Sequence, residues 1–140
     1  MEMELNIKLN QISRILNRLT SETYDIVKRL IVNIGITTVD TLKGVVSLIF
    51  DKAVLDNHNC NVHARLCCDF ITELPSFPST EPGANNITFK RLLLKKVEDT
   101  FDRSEGGPMG EFIFLIALHH QKVISDSFLR RTMQKLNLQA

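Results

Sequence analysis

The chain has 140 residues, with 17 lysines and arginines against 16 aspartates and glutamates, so its formal net charge is +1. That length makes one domain with one core and leaves no room for a two-domain enzyme, while the near-neutral balance argues against a dedicated nucleic-acid clamp or a binder of acidic substrates. Leu, Ile, Val and Phe supply 48 of the 140 residues, well above the content of disordered chains, and no apolar run reaches the roughly 18 residues of a membrane span.

The opening residues, Met-Glu-Met-Glu-Leu, have no basic region and no apolar stretch, so no secretory signal is expected and the protein is expected to be soluble and cytoplasmic. Ile12, Ile15, Leu16 and Leu19 then follow helical spacing, as do Ile26, Val27, Leu30 and Ile31. Thr20 before Ser21-Glu22 predicts a hydroxyl cap and an acidic first turn for the second of these helices, and Gly35 predicts its end. Thr37-Thr38-Val39-Asp40 predicts another cap. Leu42, Val45, Val46, Ile49, Ala53 and Val54 give the next helix a wide apolar face ending near Leu55. After a turn at Asn57-His58-Asn59, a helix is predicted over 60–74. Residues 75–83 hold three of the four prolines and read as an irregular loop. Asn86 or Thr88 caps a helix with Phe89, Leu92, Leu93, Val97 and Phe101 inward, and Gly106-Gly107-Pro108 breaks it. Two last helices cover roughly 111–122 and 126–137, with Ser125 capping the second. Residues 6–34, 38–74 and 86–137 each read as an antiparallel hairpin or slightly more. No segment alternates as a strand does. The expected fold is all-α, an incomplete solenoid of stacked hairpins of the HEAT or armadillo type.

Chemistry is sparse. Cys60, His63 and Cys67 would share a helical face, but no cysteine pair has the spacing of a structural zinc site, and buried thiols explain them better. His119-His120 shows no carboxylate partner or pocket in the sequence and reads as a helix-end pair. The six glycines make no phosphate-binding loop, and there is no nucleophile elbow. No catalysis, cofactor or metal is expected. Charge is uneven: residues 1–35, 36–86 and 87–140 sum to +1, −3 and +3. Lys90, Arg91, Lys95 and Lys96 make one helix conspicuously basic and the candidate RNA contact, although without interleaved aromatic residues a solvated face accounts for them as well.

Several strings stand in one order with consistent spacing: Ile15-Leu-Asn-Arg-Leu-Thr20, Gly35-Ile-Thr-Thr38, Leu42-Lys-Gly-Val-Val46, Leu48-Ile-Phe-Asp-Lys-Ala-Val54, Leu74-Pro-Ser-Phe-Pro-Ser79, Glu81-Pro-Gly83 and Ile87-Thr-Phe-Lys-Arg91. Together they resemble the middle domain of eukaryotic translation initiation factor 4G, its plant form or plant isoform in particular, from about Ile12 to Phe101. The resemblance implies stacked HEAT-type hairpins and a scaffold that docks the DEAD-box RNA helicase, initiation factor 4A, and touches mRNA. It implies helicase contacts at Leu16, Leu19 and Tyr24, where the family has phenylalanine at the last position, and proline in place of Ser21. Tyrosine keeps the ring but brings a hydroxyl that needs a partner. The competing role for the leucines is hairpin core. The family's cap-binding-protein motif needs a tyrosine followed five residues on by leucine, whereas Arg29 follows Tyr24 at that distance, so that partner is not expected.

Beyond Phe101 the resemblance weakens. Residues 102–109 stand in for a long charged helix, and Ile113, Ile116 and Ala117 replace the family's arginine, glycine and glutamate. The later hairpins are missing, which makes the chain look like a truncated copy. The alternatives to a helicase scaffold are an RNA-binding helical module or a competitor of the full-length factor. An all-round apolar helix near the end needs covering. Phe128, Leu129, Met133 and Leu136 are expected to fold over Ile113 and Ile116 in part, with Arg130, Arg131 and Lys135 outward, leaving a residual patch that favours self-association.

Overall fold

Hydroxyl side chains start three of the helices. Thr38 Oγ1 accepts from the Thr41 N–H at 3.1 Å, Thr88 Oγ1 from the Arg91 N–H at 3.1 Å, and Ser125 Oγ from the Phe128 N–H at 3.1 Å; each satisfies a donor that the first turn of a helix leaves free. The computed structural model describes residues 2–103 and 109–139. Its helices are α1 (Glu2–Leu16), α2 (Tyr24–Ile34), α3 (Val39–Leu55), α4 (Cys60–Glu73), α5 (Phe89–Arg103), α6 (Met109–His120) and α7 (Asp126–Gln139), with a 3-10 turn at Asn57–Asn59. Gly35 stops α2 with φ at +91°, a conformation that glycine adopts without strain. Among the described residues no strand forms; a single antiparallel bridge, Phe77 to Ile87, pins the proline-rich loop.

The helices lie in two rows. α1, α3, α5 and α7 each touch the next along one row, α2, α4 and α6 along the other, and α1–α2, α3–α4 and α6–α7 close the antiparallel pairs. This is the all-α stack of hairpins expected from the periodicity. Edge-to-face ring pairs tie the repeats together: Phe50 of α3 to Phe114 of α6 at 5.6 Å, and Phe70 of α4 to Phe89 of α5 at 5.8 Å. Two glycines permit close approach. A Cβ on Gly44 would lie 2.5 Å from Leu9 Cδ2 where α3 crosses α1, and one on Gly110 would lie 2.6 Å from the Val54 carbonyl oxygen where α6 meets the end of α3.

Three expectations change. Thr20 does not cap α2. Its hydroxyl accepts from the Thr23 N–H at 3.1 Å while Thr23 Oγ1 accepts from the Thr20 N–H at 2.9 Å, a reciprocal turn that delays the helix to Tyr24. On α2 only Val27 and Ile31 of the four periodic residues are buried, whereas Ile26 is 60% and Leu30 46% exposed. At the end of the stack Met133, expected among the covering residues, stays 37% exposed. Phe114, Leu115, Ala117 and Leu118 are buried, Ile113 and Ile116 are half-buried, and α7 packs on α5 and α6 with Phe128 buried and Arg130 and Arg131 exposed. Further exposed apolar side chains lie at the opposite end, on α1 and α2, at Met3, Ile7, Ile26, Leu30 and Val32, and at Leu55 where α3 ends. Gly106-Gly107-Pro108 and the side chains of Lys135 and Leu136 fall outside the described residues.

Candidate functional site

The turn of the first hairpin is built from inside. As α1 ends, the Arg18 and Leu19 N–H groups bond the Ile15 and Leu16 carbonyls at 3.0 Å each, tightening the chain so that both leucines point into the core. Leu16, Leu19 and Tyr24 are 2%, 3% and 1% exposed. These three are core residues, so they cannot themselves supply contact area to a partner. The correction has a physical cause. The reciprocal Thr20–Thr23 turn rolls Tyr24 toward α4, where its hydroxyl donates to the Asp69 carboxylate. That is the partner which the tyrosine, in place of the family's phenylalanine, required. The surface over the turn belongs to other side chains. The Arg65 guanidinium lies 3.9 Å from the Tyr24 ring centroid, and Lys28 Nζ sits 3.5 Å from Asp69 and 3.1 Å from Glu73. Ser21 and Glu22, on the turn itself, are exposed. Burial first, and the bond to Asp69 second, push the Tyr24 hydroxyl far above its ordinary pKa; the bond to Glu73 leads in holding Lys28 high. The turn thus carries a mixed-charge rim over a buried aromatic ring.

The basic helix α5 is less available than its composition suggests. Arg91 donates to the Asn85 and Asn86 carbonyls at 2.8 and 3.0 Å, holding the loop that leads into the helix. Lys96 is half-buried over the Phe50 ring, 5.6 Å from its centroid, and 3.8 Å from Asp51. Lys90 and Lys95 remain exposed. The pairings lie in the loop before the helix and on α3, which the run of basic residues in the sequence could not reveal.

Cys60, His63 and Cys67 do come together on the inner side of α4, and all three are buried. No group of three metal-ligating side chains is placed to hold an ion among the described residues. Burial pushes the Cys67 and Cys60 thiols up, which keeps them protonated and inert. His119 does have a carboxylate that the sequence reading missed: its Nε2 lies 2.5 Å from Asp126 Oδ1 across the α6–α7 turn. That bond lowers the Asp126 pKa. Lys122, with φ at +62°, bends the chain to bring them together; no spacing rule in the sequence signals such a turn.

A MIF4G domain pattern matches residues 9–138. The chain belongs to the MIF4G domain family. The match runs through α6 and α7, so the family likeness continues past Phe101, where the sequence strings had faded. The MIF4G chain is 38% identical over 102 residues to eukaryotic translation initiation factor 4G of Triticum aestivum, covering 73% of this chain and 7% of the relative. For the Arabidopsis thaliana factor the figures are 36%, 73% and 6%, and for Homo sapiens eukaryotic translation initiation factor 4 gamma 2 they are 38%, 63% and 10%. The chain thus spans a tenth or less of the length of these relatives. No helix among the described residues is long and apolar enough to cross a membrane.

Proposed function

We propose that this MIF4G chain is a scaffold of translation initiation that docks the DEAD-box helicase, initiation factor 4A, at the turn of its first hairpin. The observation that carries the reading is the family match over 9–138 together with relatives that are initiation factors. Two further features support it: a two-row helical stack offering rigid surfaces, and a turn whose core of Leu16, Leu19 and Tyr24 lies under half-buried Lys28 and exposed Arg65, with Glu22 exposed on the turn itself. In this reading the buried triad shapes the surface and the rim makes the contacts. Interfaces concentrate energy in a few anchors of about 2 kcal/mol or more, arginine prominent among them, so Arg65 is the leading contact. RNA contact through Lys90 and Lys95 is a secondary reading.

The test is recovery of purified helicase by the full chain and by two variants. Glu22→Lys/Arg65→Glu reverses the rim and is expected to abolish most recovery while leaving the thermal midpoint nearly unchanged. Leu16→Ala/Leu19→Ala removes core side chains at about 2–5 kcal/mol each, and its loss of binding is expected to track loss of folding. Undiminished recovery by the rim variant overturns the assignment of the surface, and no recovery by the wild-type chain overturns the helicase reading itself.

A further inference from the structure

Between α1 and α2 runs a groove of about 380 Å³, on the flank of α2 opposite Tyr24 and Lys28. Ile15 and Val27 form its floor, Ile26 and Leu30 one wall, and Arg14 and Arg18 the other rim. The exposure of Ile26 and Leu30 makes this an apolar surface that the stack leaves open, and on α1 Ile7 extends it along the same helical stripe as Arg14. Solenoid ends in water carry polar faces; here exposed Ile7, Ile26 and Leu30 interrupt an otherwise polar one.

We infer that the groove is a docking site for an acidic amphipathic helix of a partner protein. The geometry sets the helical form. Ile26 and Leu30 are one turn apart on α2, about 6 Å along its axis, and on the facing rim Arg14 stands in the last turn of α1 with Arg18 just past its end. A third helix laid between two antiparallel helices meets that spacing with its own residues at i, i+4 and i+7. Charge sets the sign. The two charged side chains lining the groove are both arginines, no carboxylate lines it, and neither guanidinium pairs with a carboxylate among the described residues. A glutamate beside each apolar anchor would give these arginines the bidentate partner their shape favours.

The same features argue against other occupants. A second copy seated symmetrically on this face would set arginines against arginines, because a two-fold contact brings each patch to itself. Single-stranded nucleic acid needs aromatic platforms, and the floor and walls here are aliphatic. The inference goes beyond the helicase reading, because it concerns the other flank of α2 and a different class of contact.

The probe is a fluorescein-labelled helical peptide with leucines at i, i+4, i+7 and i+11 flanked by glutamates, beside a twin in which lysines replace the glutamates. Fluorescence anisotropy with the full chain is expected to show binding of the glutamate peptide and not of its twin. Ile26→Ser/Leu30→Ser is expected to weaken binding by about tenfold or more. Arg14→Glu/Arg18→Glu, which replaces two exposed side chains, is expected to invert the preference in favour of the lysine peptide. Circular dichroism melts of both variants establish that they fold. Equal affinity for the two peptides, binding to neither, or an unchanged preference in the arginine variant overturns the inference. So does light scattering that finds a wild-type dimer which Ile26→Ser/Leu30→Ser dissolves, since a second copy would then hold the groove.

Discussion

His63 is 2% exposed, with Nδ1 bonded to the Asn59 carbonyl at 2.8 Å and Nε2 buried with no hydrogen-bond partner among the described residues. Burial depresses its pKa below the ordinary 6.5, outweighing the Asn59 carbonyl and Asp56, which favour the charged ring, while Lys52 adds to the depression. The unfolded chain therefore binds a proton that the folded chain resists. The stability from keeping this ring neutral is complete above pH 6.5 and falls as the pH drops below it, by at most about 1.4 kcal/mol per pH unit. Thermal melts between pH 7.5 and 5.5 are expected to show that decline in the wild type and a flatter profile in His63→Leu; parallel profiles would assign the acid sensitivity elsewhere. The sequence placed His63 correctly on a helical face with Cys60 and Cys67, and buried thiols were the better account of that face. What it could not show was the role of Tyr24, because Asp69 lies 45 residues away and a hydrogen bond across that distance leaves no local pattern.

Helices α3 and α6 illustrate how much an element's sequence decides. Alanine improves on glycine in a helix by about 1 kcal/mol, so both Gly44→Ala and Gly110→Ala look favourable on propensity alone. Their surroundings separate them. At Gly44 the new methyl meets the methyl groups of Leu9, which can rotate away, whereas at Gly110 it meets the backbone carbonyl of Val54. Urea melts are expected to place Gly44→Ala within about 1 kcal/mol of wild type and Gly110→Ala about 1–3 kcal/mol below it. Equal stability of the two would mean that α6 can slide off the end of α3 without loss. The cap at Ser125 was legible because a hydroxyl before an apolar period has one simple use, whereas the sequence narrowed the other two to Thr37-Thr38 and to Asn86 or Thr88, and the fold selects Thr38 and Thr88. The start of α2 was not, since Thr20 and Thr23 both offer hydroxyls and their mutual bonds decide the outcome. The open flank of α2 was hidden for a related reason. Ile26, Val27, Leu30 and Ile31 fit one wide apolar stripe, and spacing does not say which edge of a stripe the neighbouring helix will cover.

At the scale of the molecule, the order of hairpins followed from periodicity and turn chemistry, since each repeat touches chiefly its neighbours in sequence. Surface electrostatics did not follow so simply. Four cations on α5 suggested an RNA face, but Arg91 and Lys96 are engaged within the protein and two are left. Each phosphate neutralised on a single strand contributes about 0.7 to the slope of log K against log salt. Titration of a labelled single-stranded RNA is therefore expected to give no binding or a slope near −1.4. A slope of about −2.8 or steeper would mean that Arg91 and Lys96 leave their partners or that cations from other helices join in.

The position of α3 carries one more consequence. It is flanked by α1, α4, α5 and α6, and α4 by α2, α3, α5 and α6, whereas among the described residues α2 packs chiefly on α1 and α4 and α7 chiefly on α5 and α6. In a nearest-neighbour stack, an end unit detaches at the expense of one interface and an inner one only with everything around it. Thermal opening is therefore expected to run inward from both ends, with α3 and α4 the last helices to give up their amide protons to solvent. The first hairpin, with its rim and its groove, is held by a single interface to the rest of the stack, so a partner seated there would slow the opening of that end and leave the exchange of α7 untouched.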